Sequence, residues 1–372
     1  MKKLIALLLM LSLILCGCAG NQPAETTVPP TTEAPTTEAP TTVPPTTVPP
    51  TTVPPTEAPT EAPTEPPVPT NPLTGEALEA PSETRTFAVT INNVPGAMPI
   101  YGVSKADLFF EMFVNGYCTR GLALYSDIRE VSSVGSVRSL RYNFTDLCQI
   151  YDAIVFHAGG SNQVLIDRDN MGVDYVSVES EASDYYFRDK SRLDAGYAWE
   201  HCLFVRGQES MNYAESKGMR VTREPDADYG LRFTEDGTPE GGEDAQRITI
   251  NLVHSHATKQ TIMQYVEDQG KYLFNQYDMA MYDASEYQHI YFENVIVMFC
   301  RVYDESVYHI ADLIGSGEGY FACGGKIIPI KWIHENETDP ILFTLEDGTP
   351  LELGVGNSYI AIAPLTSSVR YE

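Results

Sequence analysis

Residues 134–169 read VGSVRSLRYNFTDLCQIYDAIVFHAGGSNQVLIDRD, and their changing apolar period sets the architecture of the first half of the chain. Tyr142, Leu147 and Ile150 stand at broadly helical spacing, and Asp152 closes that helix. AIVFHA is then apolar without alternation, as a buried strand is, and Gly159-Gly160-Ser161 opens a second helix over NQVLIDRD. Upstream, TFAVTINN alternates as a strand does, and ADLFFEMFV and TRGLALYSDI flank NGYC, whose Asn-Gly signals a hairpin. Strand, helix, strand, helix is the rhythm of an α/β layer. After about Gly237 the pattern changes to apolar runs such as RITINLVHS, KYLFNQYDMAMY, NVIVMFCRVY, GYFACGGKIIPIKWI, PILFTL and YIAIAP, separated by turns such as EDGTP. SEYQHI and TIMQYVE read as interruptions of this strand-rich region. The expectation is an α+β chain: a mixed α/β N-terminal domain over 71–235 followed by a β-rich C-terminal domain over 244–369, with TEDGTPEGGEDAQ as a hinge.

The first twenty residues carry an address. Lys2 and Lys3 precede an apolar stretch from Leu4 to Leu15 that runs into LCGCAG, the layout of an export signal rather than of a spanning helix. Leu15-Cys16-Gly17-Cys18 resembles a lipobox with Cys18 as the lipidated residue, so 1–18 reads as a lipoprotein signal peptide. Residues 19–70 follow as a Thr/Pro/Glu-rich stalk, in which proline at every fourth or fifth position removes backbone donors and restricts its neighbours. Such a chain cannot bury enough apolar surface to fold and stays an extended spacer. At roughly 3.1 Å per residue, about 50 residues reach on the order of 150 Å. The expected location is the extracytoplasmic face of a bacterial cell membrane, held by lipid.

The chain has 24 Lys+Arg against 51 Asp+Glu, a formal net charge of −27, and the folded part stays acidic when the leader and stalk are removed. Nucleic-acid binding needs a basic surface, so that class is set aside. Five cysteines lie beyond the lipobox, at 118, 148, 202, 300 and 323, widely spaced and without a CxxC pair, which disfavours zinc and leaves buried thiols or a disulfide open.

NPLTGE (Asn71–Glu76), AVTINN, ADLFFE, TRGLALY, VGSVRSLRYNF and DAIVFHAGGS follow one another in the order found in the YerB-like lipoproteins, the domain-of-unknown-function 3048 family, and the chain resembles that family. FENVIVMF, GSGEGYFACGGKIIPIKW and LELGVGNSYIAIAP are similar to its C-terminal domain. The resemblance implies an exported two-domain lipoprotein and brings no settled biochemical activity. It also implies that Arg188, Asp189, Arg192 and His201 act together. The chain departs from the family pattern at Cys202, where an asparagine usually follows the histidine, and lacks the Arg and His-x-Asp set usually found before NVIV.

Arg120, Arg138 and Arg141, with His157 and the turn Gly159, Gly160, Ser161, form the leading candidate for an anion or ligand site. Arginine's planar fork binds carboxylate or phosphate and stays charged at cellular pH, and a glycine-rich turn opening a helix aims backbone N–H groups at one spot. The competing reading is a buried network in which these arginines pair with Asp107, Glu111, Asp146 or Asp152. Arg188, Asp189 and His201 are the second candidate group, read either as completing the same pocket or as a surface ion-pair cluster. HAGGS has no G-x-S-x-G elbow to supply a hydrolase nucleophile. His254 and His256 would share a strand face, but no acidic or cysteine partner stands at ligand spacing, so no metal and no cofactor is expected. The chain reads as a binding protein of the cell envelope, with wall polymer, a lipid-linked precursor or an envelope protein as partner. The alternative is an enzyme acting on a phosphorylated envelope substrate through the arginines.

Overall fold

Alternation in FAVTINN predicts a strand with one buried face, but all seven of its residues are buried, because layers cover the sheet on both sides. The structure, a computed structural model, describes residues 68–178, 184–225 and 227–372. Cys18, the 1–18 leader and the stalk up to residue 67 lie outside the described residues. The described residues belong to one compact unit.

The first half contributes β1 (Phe87–Asn93), the hairpin β2 (Leu108–Asn115) and β3 (Cys118–Tyr125), and the short β4 (Val134–Gly135). Helix α1 (Tyr142–Ile150) leads to β5 (Ile154–His157), and α2 (Asn162–Asn170) leads to β6 (Tyr175–Ser177), as the spacing predicts. Then come β7 (Tyr186–Arg188), α3 (Lys190–Asp194), β8 (Leu203–Val205) and α4 (Gly207–Ser216). Strand β1 runs antiparallel to β3 and parallel to β5, so β5 returns beside β1 through α1.

The segment read as a hinge is strapped at both ends. β9 (Phe233–Thr234) pairs with β24 (Leu353–Gly354), and β10 (Glu243–Asp244) pairs with β22 (Lys326–His334). The hairpin β11 (Arg247–His254) and β12 (Ala257–Val266) follows, with β13 (Lys271–Gln276) beside β12. TIMQYV therefore lies inside a strand rather than interrupting one, because its β-branched and aromatic residues pair with β13. KYLFNQYDMAMY is broken at Tyr277 and Asp278, whose φ angles of 54° and 58° make a tight reversal. Four two-residue strands come next: β14 (Met279–Ala280), β15 (Tyr282–Asp283), β16 (Gln288–His289) and β17 (Tyr291–Phe292). NVIVMFCRVY divides into β18 (Asn294–Cys300) and β19 (Val302–Glu305), the latter paired with β20 (Tyr308–Ala311). β21 (Gly315–Cys323), β22, β23 (Leu342–Thr344), β25 (Ser358–Pro364) and β26 (Ser368–Tyr371) complete the chain.

The main sheet has 13 strands, ordered β10-β22-β21-β18-β25-β2-β3-β1-β5-β6 with β19, β20 and β23 beside this path. Strand β25 lies parallel between β2 and β18, in register Phe110↔Ile360 and Ile296↔Ile360. One sheet thus runs through both halves of the sequence. On one face Leu108, Phe110, Leu122, Ile296 and Ile360 pack with Phe144 and Leu147 of α1. On the other, Val89, Phe109, Val297 and Tyr359 meet Ile250, Met263 and Phe274 of a second sheet of six strands. The fold is α+β with a β-rich C-terminal region.

Glu111 points from β2 into the space between the two sheets and is 0 % exposed. Its carboxylate accepts hydrogen bonds from Asn93 Nδ2 (2.8 Å), Thr119 Oγ1 (2.7 Å), Gln276 Nε2 (2.8 Å), Thr261 Oγ1 (3.0 Å) and Tyr359 OH (2.6 Å), and it ion-pairs with Lys259. Burial pushes this carboxyl up, but the Lys259 ammonium and the hydrogen bonds outweigh burial and hold it below its usual range. Removing one partner of a buried pair leaves a charge without compensation, at a cost of about 3–5 kcal/mol, whereas replacing both is often neutral. Glu111→Met is therefore expected to lower unfolding free energy by about 3–5 kcal/mol in urea titrations. Glu111→Met with Lys259→Met should recover most of the loss. A mild single variant would show that the ion pair does not hold the layers together.

Candidate functional site

The candidate site forms where the chain between β4 and α1 is pinned across the end of the main sheet. Arg138 N–H donates to the Thr90 carbonyl of β1 at 3.0 Å, and the Arg138 carbonyl accepts from Ala158 N–H at 2.9 Å. Leu140 N–H donates to the Gly159 carbonyl at 2.9 Å. Gly159 adopts a φ of +74°, so a glycine suits the turn that presents this carbonyl. RSLR and HAGG are thereby one unit, and Arg141 stands at the N-cap of α1.

Arg120 rises from β3 opposite Asn92 and Met112, on the face that α1 covers, and is 4 % exposed. Its Nη1 donates to the Ser139 carbonyl at 2.7 Å. Arg141 donates to the Leu140 carbonyl at 2.8 Å and to Asn115 Oδ1 at 3.2 Å, and its guanidinium lies 5.3 Å from the Tyr308 ring centroid. The Nε atoms of Arg120, Arg138 and Arg141 are buried without a hydrogen-bond partner. Burial, and then the neighbouring charges of Arg141 and Arg138, hold the Arg120 guanidinium well below its usual value. Burial lowers Arg141 too; the nearby Tyr308 opposes that shift and Arg138 adds to it. Three cations thus crowd one place.

Among the described residues, no carboxylate forms an ion pair with any of the three. The acids that a buried network would need are committed elsewhere. Asp107 accepts from Ser126 N–H and Asn71, and Glu111 is held by Lys259. Asp146 accepts from Asn143, and Asp152 pairs with Arg85 and Arg220. Glu200 lies within electrostatic reach of Arg138. Its carboxyl is held low first by its own backbone N–H and further by that arginine.

The remaining candidate residues serve the scaffold. His157 is 0 % exposed; its Nδ1 lies 2.9 Å from the Gly159 carbonyl and its Nε2 2.9 Å from Arg168 Nη1. A proton on Nδ1 satisfies the carbonyl and leaves Nε2 to accept from Arg168, so this ring is a neutral brace. Ser161 Oγ caps α2 by accepting from Val164 N–H at 3.3 Å. The carbon a side chain would add at Gly160 falls 2.9 Å from Leu165 Cδ2, so the glycine lets α2 pack closely. Arg188 stacks 3.8 Å from the Trp199 ring centroid and donates to its carbonyl at 2.6 Å. Asp189 caps α3 and accepts from Tyr101 OH at 3.3 Å. His201 Nδ1 lies 2.8 Å from the Gly96 carbonyl, and Arg192 donates to the carbonyls of Ala97, Pro99 and His201. This second group clasps the 96–99 loop.

Asn115 and Tyr308 at the arginines were not singled out in the sequence. The Asn-Gly hairpin placed Asn115 on a turn, but nothing local links Tyr308 to a residue so far upstream. His256 does not share a strand face with His254, because β11 ends at His254 and Ser255, with a φ of 52°, reverses the chain. All five cysteines of the folded part are free. A cavity of about 1010 Å³, lined by residues including Asp107, Asp127, Arg129 and Lys271, includes none of the three arginines in its lining.

The family model described as "Protein of unknown function (DUF3048) N-terminal domain" matches residues 73–220, and its C-terminal counterpart matches 248–360. The chain is 25 % identical over 298 residues to the "Putative lipoprotein YerB" of Bacillus subtilis (strain 168), across 79 % of this chain and 86 % of that protein. The crystal structure of the YerB protein from Bacillus subtilis superposes with a TM-score of 0.70 at 24 % identity, covering 81 % of this chain and 99 % of that one. That likeness is one of fold.

Burial pushes the His157 imidazole down to about 4. Between that value and the ordinary 6.5 the unfolded chain binds the proton and the folded chain does not, so stability falls as pH drops through this window. His157 alone contributes a loss on the order of 3 kcal/mol from pH 7 to 4, while Asp107 and Asp146, raised by burial to about 6, gain stability over the same window. Urea titrations of the wild type and His157→Gln should therefore differ in slope by that amount, the wild type losing more as pH falls, and identical slopes would contradict a neutral buried His157.

Proposed function

The chain belongs to the DUF3048 family, and from that premise we propose that it is an extracytoplasmic lipoprotein that binds an anionic envelope ligand through Arg120, Arg138 and Arg141. The observation that carries this reading is the crowding of three guanidinium groups with no ion-paired carboxylate among the described residues, Glu200 reaching Arg138 only at longer range. A buried cation without compensation is costly, and three together repel one another, so the arrangement gains stability when an anion arrives. The chain's net charge of −27 sharpens the point. Counter-charge is abundant in this protein, yet none is paired directly with these arginines among the described residues.

Guanidinium forks suit phosphate or carboxylate oxygens. Asn115 and the Tyr308 ring fix Arg141 in place, so the cluster is held ready rather than assembled around the ligand. The export signal, the lipobox at Cys18 and the proline-rich stalk support a position outside the cytoplasm at the membrane, where such anions belong to wall polymers and lipid-linked precursors. No helix among the described residues is long and apolar enough to cross a membrane, and the relative's printed name supports lipid attachment. The role is binding. Release of phosphate from a phosphorylated envelope substrate would instead establish the enzymatic alternative.

Two experiments test this reading. The full chain in detergent should melt at higher temperature with rising pyrophosphate, by mass action on the folded state. Arg138→Ala with Arg141→Ala should abolish that rise while leaving the ligand-free melting temperature unchanged or higher, because like charges are removed. A ligand-free loss of several kcal/mol would instead mean that the arginines neutralise buried acids. For the anchor, Cys18→Ser should move the protein from the membrane fraction to the soluble fraction, and undiminished membrane retention would refute lipid attachment at that residue.

A further inference from the structure

Two histidines far apart in sequence converge on one carboxylate oxygen at the edge of the β-rich region. His254 Nε2, from the end of β11, lies 2.6 Å from Asp304 Oδ1 of β19. His309 Nδ1, from β20, lies 2.6 Å from the same oxygen. The ligand-capable atoms of the three all fall within 4.8 Å of one another. The two imidazoles are 11 % and 10 % exposed, whereas Asp304 is 48 % exposed and gives the cluster one open side.

The far nitrogen of His309 decides what the near one can be. His309 Nε2 lies 2.9 Å from the Gly116 carbonyl, which accepts only, so the proton of a neutral ring sits on Nε2. The Nδ1 lone pair of that tautomer then faces the Asp304 carboxylate at 2.6 Å, so that two electron-pair donors are aimed at one point that a cation can occupy. An imidazole whose other N–H is held by a backbone carbonyl has the orienting contact typical of a metal ligand. The His309 ring is further fixed edge-on to Phe113, with centroids 6.1 Å apart, and to His254, with centroids 4.6 Å apart.

We propose that His254, Asp304 and His309 form a binding site for a first-row divalent cation of the Zn²⁺ class, with two imidazole nitrogens, one carboxylate oxygen and a fourth position open to solvent. Imidazole and carboxylate ligands of this kind suit Zn²⁺ and its neighbours rather than Mg²⁺ or Ca²⁺, which prefer all-oxygen sites. Tetrahedral bonds of about 2.0–2.2 Å set ligands roughly 3.3 Å apart, so a cation enters as Asp304 moves outward and the two imidazole nitrogens, within 4.8 Å of each other, adjust around it. The Asp304 strand pairs with β20 and its side chain is half exposed, which leaves the carboxylate room to move. His254 has no acidic partner at ligand spacing in the sequence because both partners come from the β19–β20 hairpin about fifty residues later.

The test strips the full chain of metal with a chelator and titrates it with Zn²⁺, and with Co²⁺ for its visible absorption. Stoichiometric Zn²⁺ uptake, a higher melting temperature and a Co²⁺ band typical of four- or five-coordinate nitrogen and oxygen ligation are expected. Asp304→Asn, at a half-exposed position that spares the fold, should weaken Zn²⁺ binding by more than the roughly 10–100-fold that loss of an outer-shell partner costs. His309→Ala should abolish it, and His256→Ala, at an exposed neighbouring histidine, should leave it intact. No uptake of Zn²⁺ or Co²⁺ by the unaltered chain, or uptake by Asp304→Asn and His309→Ala equal to that of the unaltered chain, overturns the site; the cluster is then only a hydrogen-bonded histidine–carboxylate group.

Discussion

A single carboxylate, that of Glu111, sits where the two β-layers meet, and the architecture turns on satisfying it. An ionised carboxylate between apolar layers is tolerable only when a counter-charge and hydrogen bonds surround it. Here they come from β1, β3, β12, β13 and β25, so strands distant in sequence must all be in register before the charge is compensated. A one-residue slip of any of these strands would turn its donor to the opposite face. The apolar layers supply most of the burial free energy. The polar cluster fixes which layers meet, and in what order.

That registry explains why the arginine cluster is stable without acids of its own. Arg120 belongs to β3, where the adjacent Thr119 reaches Glu111 on the opposite face, and Arg138 is tied to Thr90 of β1, three residues before Asn93. The strands that carry the cations are thus held by the neighbouring carboxylate, on the other face of the same sheet. Tyr308 lies under Arg141, and the next residue, His309, reaches Gly116 beside Asn115. The arginine cluster and the histidine–aspartate cluster therefore share the β2–β3 hairpin and the β19–β20 hairpin as walls.

Much of this was legible in the sequence, and the failures have physical causes. The strands FAVTINN and LFFEMFVN, the Asn-Gly hairpin and the two helices around IVFH follow from period and turn chemistry, which act locally. TIMQYV misled because its strand character is confirmed only by pairing with KYLFNQ. The arginines were found as an excess of positive charge in an acidic chain, but the choice between a buried network and an open site was not. That choice depends on where Asp107, Asp146 and Asp152 find their donors, and those donors are set by tertiary packing. His157 looked like a ligand because it stands beside a glycine turn; burial against Arg168 makes it a brace.

The most direct test of the account is a crystal structure of the protein grown with tungstate, a heavy phosphate analogue whose anomalous signal locates it without ambiguity. The account predicts an anomalous peak within hydrogen-bonding distance of Arg120, Arg138 and Arg141. A cluster left empty while tungstate occupies other basic sites would contradict it.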